Sequence, residues 1–106
     1  EAKVNVLGVK KRDLDNFGAV SEQIVKQMVT GALVKANANI GVAISGIAGP
    51  DGGTDSKPIG TVCFAWKING SKAISLTQVF NGDRNQVRYF SVKKALLGTI
   101  RLIKDL

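Results

Sequence analysis

At 106 residues the chain is short enough to form a single domain, expected over residues 1–106, and 44% of it is apolar, enough for a small core. One cysteine excludes an internal disulfide, and the lack of histidine excludes a Ser-His-Asp triad and most transition-metal sites. The formal charge of +7 favours an anionic partner. That partner could be nucleic acid or a phosphorylated metabolite, or the charge could serve only solubility; the basic residues are scattered and not interleaved with aromatic ones, so nucleic acid is not favoured.

Two segments in the first half of the chain predict regular structure. Apolar residues recur every three or four positions from Ser21 to Ala36, Ser21 is a good N-cap, and Asn37 suits a left-handed ending, so a helix is expected. The continuous apolar run Ile40–Ile44 is typical of a strand that is covered on both faces.

A glycine-rich run, residues 45–60, follows that strand and holds both prolines of the chain. In open α/β sheets, ligands bind beyond the carboxyl ends of strands, so Ser45 and the glycines after it are candidates for a small anionic or amide-bearing ligand. Their spacing matches neither a Walker A loop nor the dinucleotide fingerprint. An ordinary glycine-rich connection is the alternative.

The second half predicts a hairpin and a helix. Thr61–Ile68 is expected to be a strand with Val62, Phe64 and Trp66 on one face, joined by a type I′ turn at Asn69-Gly70 to a strand over residues 73–80. Asp83 and Gln86 form a capping-box pattern, which predicts a last helix. Its expected apolar face comprises Val92, Leu96, Ile100 and Ile103.

Two arginines lie near the start of this last helix. Arg84 is in the first turn, and Arg88 follows on the same side. Free N–H groups at a helix N-terminus and the arginine fork both suit a phosphate. Two solvated arginines are the alternative.

These elements predict an α/β fold with helices packed on a mixed β-sheet, in the order helix, strand, hairpin, helix. A three-stranded layer leaves an edge uncovered, which favours a homodimer. No apolar run is long enough to cross a membrane and no signal-peptide pattern precedes the first helix, so a cytoplasmic protein without a membrane partner is expected.

Three motifs together resemble one known family. They are SGIAGPDGG at residues 45–53, KPIGTV at residues 57–62 and FNGDRNQVR at residues 80–88. In order and spacing they are similar to the C-terminal domain of the competence/damage-inducible CinA proteins, a family that includes nicotinamide mononucleotide deamidases. The resemblance runs over essentially the whole chain.

The resemblance implies a hydrolase that releases ammonia from the nucleotide amide with a serine nucleophile and a lysine base, without metal or cofactor. Lys3 matches the catalytic lysine, and a desolvated lysine can take a proton from serine. Ser45 matches a substrate-binding hydroxyl residue. The stretch Gly46, Ile47, Ala48 and Gly49 matches the part that offers backbone N–H groups to the substrate. Arg84 matches the substrate-binding arginine best, and Arg88 is the second choice.

The chain also departs from the family pattern. The motif that carries the nucleophilic serine is not found in the sequence, which predicts a domain without its N-terminal segment. Two alternatives to an enzyme therefore stay open. One is a non-catalytic nucleotide-binding module, and the other is an accessory protein in competence or the response to DNA damage.

Overall fold

A computed structural model describes residues 8–47, 49 and 52–106. Three strands form a sheet in the order β1-β2-β3, with helices on both faces. The predicted α/β class is confirmed; in the described residues each neighbouring pair of strands is antiparallel, so parallel pairing is not seen there. In chain order the elements are α1 (Lys11–Phe17), α2 (Glu22–Ala36), β1 (Ile40–Gly46), β2 (Thr61–Ile68), β3 (Ile74–Val79) and α3 (Arg84–Lys104).

The first long helix, α2, forms as the sequence predicts. The Ser21 hydroxyl oxygen accepts a hydrogen bond from the Ile24 N–H at 3.3 Å, which satisfies one of the free donors of the first turn. Asn37 ends the helix in the left-handed conformation, with φ 50°. α2 packs on one face of the sheet, where Val25 and Val29 contact the side chains of the central strand β2.

The last helix, α3, covers the opposite face and also begins as predicted. Asp83 and Gln86 form a complete capping box. Phe64 and Trp66 of β2 point to this helix, and the Trp66 Nε1–H donates to the Ala95 carbonyl oxygen at 3.1 Å. The stacked rings of Phe64 and Trp66 therefore fix the height of α3 above the sheet.

The face that α3 buries differs from the predicted one. Its buried residues are Val87, Ser91 and Ala95. A Cβ atom at Gly98 would lie 2.5 Å from the Trp66 ring, so only a small residue fits where α3 crosses this ring. The four residues expected to form the apolar face are exposed instead, namely Val92, Leu96, Ile100 and Ile103.

Two further expectations need correction. α2 covers one face of β1 and α3 covers the other only in part, because Val42 and Ile44 on that face are 38% and 36% exposed. The turn after β2 has positive φ at Gly70 but not at Asn69, so it is not of type I′.

The short helix α1 was not expected, since its seven residues bury no side chain and leave no apolar period. No helix in the described parts of the chain has both the length and the hydropathy needed to cross a membrane.

Candidate functional site

The carboxyl ends of β1 and β3 lie at the same end of the sheet, on either side of the start of β2. Both strands run antiparallel to β2, so they run in the same direction. Gly60, which precedes β2, joins them: its N–H donates to the Ile47 carbonyl oxygen at 2.8 Å, and its own carbonyl oxygen accepts from the Phe80 N–H at 2.9 Å. We call this the strand-end edge, formed by Ile47, Gly60 and Phe80 with the segments that follow β1 and β3.

Gly60 is the residue that allows this arrangement. Its φ of 95° is a conformation that other residues rarely adopt, and a Cβ atom there would collide with the Phe80 carbonyl oxygen. The sequence showed this glycine within the motif KPIGTV, but the need for positive φ is visible only in the folded chain. The two strand ends therefore have a fixed separation, about two strand spacings or 10 Å.

The glycine-rich segment contributes Ser45 and its neighbours to this edge. Ser45 pairs with Cys63, is half-buried and lies on the sheet face that α2 covers. A Cβ atom on Gly46 would lie 3.1 Å from Val62 Cγ2, so packing alone gives a reason for glycine there. Gly49 is half-buried beside Ile59.

Only some of the backbone N–H groups that were predicted to bind the substrate are free to do so. The Ile47 N–H donates to the Thr61 carbonyl oxygen at 2.9 Å, so in this conformation it is already used. Since N–H groups alternate along a strand, the Gly46 N–H points to the outer edge of β1. Two other predicted site residues, Lys3 and Ala48, lie outside the described residues.

Arg84 and Arg88 reach the strand-end edge from the other face of the sheet. Arg84 is the first residue of α3, directly after the segment that follows β3, and Arg88 lies one turn further along. Both are exposed, and neither is paired with a carboxylate within the described part of the chain. The fold thus brings the Ser45 segment and the arginines to one edge, but their side chains start from opposite faces.

The N-terminus of α2 also lies at this edge. A Cβ atom at Gly41, near the start of β1, would contact Val29 and Leu33 in the second half of α2, so the end of β1 lies beside the first turn of that helix. The Lys57 Nζ donates to the Phe17 carbonyl oxygen at 2.8 Å and ties the glycine-rich segment to the chain just before α2. Two helix N-termini therefore flank the edge, each already with a carboxylate in or before its first turn, Glu22 in α2 and Asp83 before α3, so the charge that favours an anionic ligand there is that of the arginines.

A polar cleft of ≈ 610 Å³ opens between α2 and the sheet near this edge. Glu22, in the first turn of α2, accepts hydrogen bonds from the hydroxyl groups of Thr77 and Ser75, each at 2.7 Å. These two bonds, with that from Thr77 the stronger influence, lower the pKa of Glu22. The other polar and thiol side chains of the cleft include Lys26, Ser56, Lys57, Thr61 and Cys63.

The hydrogen bonds in the cleft form a short relay. Thr77 Oγ1 lies 3.4 Å from Cys63 Sγ. Because the hydroxyl hydrogen of Thr77 is donated to the Glu22 carboxylate, the thiol is the donor in the contact with Thr77. Sequence reasoning did not predict this cluster. Its one signal was the alternation of Ser75 and Thr77 along a strand whose polar face then needed a partner.

Comparison with known proteins places these features in context. A family model described as the CinA C-terminal domain matches residues 1–103. The nicotinamide-nucleotide amidohydrolase PncC of Escherichia coli is 47% identical over 96 residues, which cover 91% of this chain and 58% of that protein. A CinA-like protein of Akkermansia muciniphila is 43% identical over 93% of this chain and 24% of its own length.

Solved structures give the same result. A competence-damaged protein (CinA) superfamily protein from Klebsiella pneumoniae matches with a TM-score of 0.92 and 41% identity, covering 99% of this chain and 65% of that chain. The competence/damage-inducible protein CihA from Agrobacterium tumefaciens matches with a TM-score of 0.90 and 40% identity, over 95% of this chain and 62% of its own. The chain therefore spans about three fifths of these two solved relatives.

Proposed function

The chain belongs to the CinA C-terminal domain family, and from this membership we propose that it forms the nucleotide-binding part of an amidohydrolase that acts on nicotinamide mononucleotide. The products are nicotinate mononucleotide and ammonia. The supporting observation is the strand-end edge, next to which Arg84 and Arg88 begin α3, exposed and with no carboxylate paired to them in the described residues. The name of the Escherichia coli relative supplies the substrate class.

Arg84 and Arg88 are the residues that bind the phosphate in this proposal. They lie on successive turns at the start of α3, and an arginine fork offers two parallel N–H donors to phosphate oxygens. Ser45 and the segment after it would then hold the nicotinamide end, about two strand spacings away. This separation suits a ligand with a charged group at one end and an amide at the other.

The chemistry needs a nucleophile and a base. In the proposed reaction a serine oxygen attacks the amide carbon while the lysine takes the hydroxyl proton and passes it to the amide nitrogen, which leaves as ammonia. Water then hydrolyses the resulting ester and restores the serine hydroxyl. Lys3 is the proposed base. Ser21 and Ser91 are poor nucleophiles here, because their hydroxyl groups donate to the carbonyl oxygens of Gly18 and Val87. Because the family motif that carries the nucleophilic serine is not found in the sequence, the nucleophile is assigned to no residue of this chain.

Calorimetric titration of the 106-residue protein with nicotinamide mononucleotide tests the binding half of the proposal. Arg84→Ala should weaken binding by about tenfold to a hundredfold, the range for loss of a charged hydrogen bond. The matched control is Arg101→Ala, at the far end of the same helix, which should bind as the parent does. Equal affinities for the parent and Arg84→Ala would remove Arg84 from the site.

An assay of ammonia release tests the catalytic half separately, on a form of the protein that also carries the serine-bearing motif of the family. Turnover that is lost in Lys3→Ala but retained in Lys72→Ala, an exposed lysine at the opposite end of the sheet, would support Lys3 as the base. Nucleotide binding without ammonia release would instead favour the non-catalytic nucleotide-binding module. Binding that is absent for the mononucleotide but present for DNA and steeply salt-dependent would favour the accessory protein.

A further inference from the structure

Lys57 joins two parts of the chain that are 40 positions apart in sequence. Its Nζ donates to the carbonyl oxygen of Phe17, the last residue of α1, at 2.8 Å. The last carbonyl groups of a helix have no partner within that helix, and α1 has no basic residue in its own last turn. The glycine-rich segment therefore supplies the donor that the end of α1 needs.

The ammonium group of Lys57 lies at the junction between α1 and α2. A Cβ atom at Gly18, which follows Phe17, would lie 3.8 Å from Lys57 Nζ. The Gly18 carbonyl oxygen accepts the hydroxyl hydrogen of Ser21 at 2.7 Å, and Ser21 is the N-cap of α2. The bond from Lys57 therefore ties the glycine-rich segment to the chain that enters α2.

Hydrogen bonds close the backbone on either side of Lys57. The Lys57 N–H donates to Thr54 Oγ1 at 3.1 Å, and the Thr54 N–H donates back to the Lys57 carbonyl oxygen at 2.9 Å. The Pro58 carbonyl oxygen accepts from both the N–H and the hydroxyl group of Thr61, at 3.0 and 2.6 Å. We call residues 54–61 the lysine turn. Because these bonds constrain the turn, the contact made by the Lys57 side chain fixes where the turn lies.

The lysine turn supports the segment that is proposed to hold the amide end of the nucleotide. The Gly60 N–H, within the turn, donates to the Ile47 carbonyl oxygen at 2.8 Å. A Cβ atom at Gly49 would lie 3.1 Å from Ile59 Cγ2, so the Ile59 side chain packs directly against the Gly49 backbone. The positions of Ile47 and Gly49 therefore depend on the position of the turn.

We propose that Lys57 is a positioning residue. By binding Phe17 it holds the lysine turn, and through the turn it places Ile47 and Gly49 for the amide end of the nucleotide. The ligand in this statement rests on the proposed function, whereas the anchoring of the turn does not. The arginines assigned to the phosphate belong to α3, whose start is set by its own capping box, so the phosphate end should not depend on Lys57.

Hydrogen exchange followed by nuclear magnetic resonance tests the anchoring without a ligand. Lys57→Met keeps an unbranched side chain and removes the donor, whereas Lys57→Arg keeps a donor. The amides of Ile47 and Gly60 should exchange about twofold to tenfold faster in Lys57→Met, the equivalent of one net hydrogen bond, and near the parent rate in Lys57→Arg. The amide of Ala65, at the middle of β2, should keep the parent rate in both variants.

The matched control for exchange is Lys72→Met, which changes an exposed lysine at the opposite end of the sheet and should match the parent at all three amides. Unchanged exchange at Ile47 and Gly60 in Lys57→Met would overturn the inference. Equal acceleration at Ala65 would overturn it as well, since that result reports a general loss of stability.

Calorimetric titration of the 106-residue protein with two ligands tests the link to the nucleotide. Nicotinamide mononucleotide carries both ends, whereas ribose 5-phosphate carries only the phosphate end. Lys57→Met should weaken binding of the mononucleotide about twofold to tenfold and leave that of ribose 5-phosphate unchanged, and Lys57→Arg should bind both as the parent does. Equal weakening for the two ligands would show that the lysine attracts the phosphate by its charge, and the inference would be wrong.

Two further outcomes separate this inference from the proposed function. Faster exchange in Lys57→Met with an unchanged affinity for the mononucleotide would show that the anchor serves the fold alone, which contradicts the positioning role. A parent protein that binds neither ligand would contradict the proposed function, and the exchange rates would then decide the anchoring of the turn by themselves.

Discussion

The two long helices of this domain cover opposite faces of one sheet in different ways. α2 buries its large apolar residues, Ile24, Val25, Val29 and Leu33, against β1 and β2. α3 buries Val87 and the small residues Ser91 and Ala95, and exposes larger ones. The reason lies in β2, which presents Cys63 and Ala65 to α2 but Phe64 and Trp66 to α3. Where the sheet supplies the large side chains, the helix must supply the small ones.

Truncating one isoleucine in each helix compares directly how much buried and exposed apolar residues contribute to stability. Ile24 in α2 is completely buried and Ile100 in α3 is 49% exposed. Ile24→Ala should lower the free energy of unfolding by about 2–5 kcal/mol, through lost burial and the cavity left behind. Ile100→Ala should change it by no more than about 0.5 kcal/mol, as exposed substitutions usually do.

Urea denaturation followed by tryptophan fluorescence gives both values, with Trp66 as the reporter. Similar losses for the two variants would mean that the exposed apolar residues of α3 are covered in solution, for example by self-association. Repeating the measurement at a much lower protein concentration separates that case, since only an associating protein loses stability on dilution.

Glycine-to-alanine substitutions compare the two helix–sheet interfaces at the positions where the backbone and a facing side chain lie closest. Gly98→Ala would place a Cβ atom 2.5 Å from the rigid ring of Trp66, so α3 must move away from the sheet. The expected loss is about 1–3 kcal/mol, even though alanine favours a helix by about 1 kcal/mol over glycine. On the α2 side, a Cβ atom at Gly41 would lie 3.1 Å from Leu33 Cδ2, the end of a flexible side chain.

Gly41→Ala should therefore change stability little, because a small shift of Leu33 relieves the contact and alanine costs less than glycine in a strand. Thermal unfolding compares the two variants. A melting temperature that falls more in Gly41→Ala than in Gly98→Ala would reverse the assignment of the tighter interface.

The sequence correctly predicted the structural features that depend only on residues close together in the chain. Ser21, Asn37, Asp83 and Gln86 set the ends of helices through hydrogen bonds within one turn, and the structure confirms each of them. The alternation along Thr61–Ile68 likewise assigned Val62, Phe64 and Trp66 to one face. These signals are local, so no knowledge of the tertiary fold was needed.

Other features depend on contacts that are distant in sequence. Which side of α3 is buried is decided by Trp66, and a helical period cannot show it. The bonds from Ser75 and Thr77 to Glu22 join residues more than fifty positions apart. For the candidate site, the motifs indicated Ser45 and Arg84, but only the parallel direction of β1 and β3 explains why they reach one edge.

The smallest expected effect concerns the polar cleft on the α2 side. Hydrogen bonds from Thr77 and Ser75 lower the pKa of Glu22 from its ordinary value of 4.5, so the folded state holds the ionised carboxylate more tightly than the unfolded state does. The stabilisation is present above pH 4.5 and is lost as the pH falls through the folded pKa. The α3 side of the sheet has no equivalent cluster in the described residues.

Glu22→Gln should therefore be less stable than the parent at neutral pH, and the difference should shrink as the pH falls below 4.5. The matched control is Asp55→Asn, an exposed carboxylate in the glycine-rich segment. Urea midpoints measured across the acid range compare the three proteins. If the difference in urea midpoint between the parent and Glu22→Gln stays constant with pH, the cause of the difference is the shape of the side chain and not its charge. If the difference from the parent disappears at low pH for Glu22→Gln, with no such change for Asp55→Asn, the carboxylate of Glu22 stabilises the fold by its charge. It then helps to hold the first turn of α2 against β3, beside the strand-end edge.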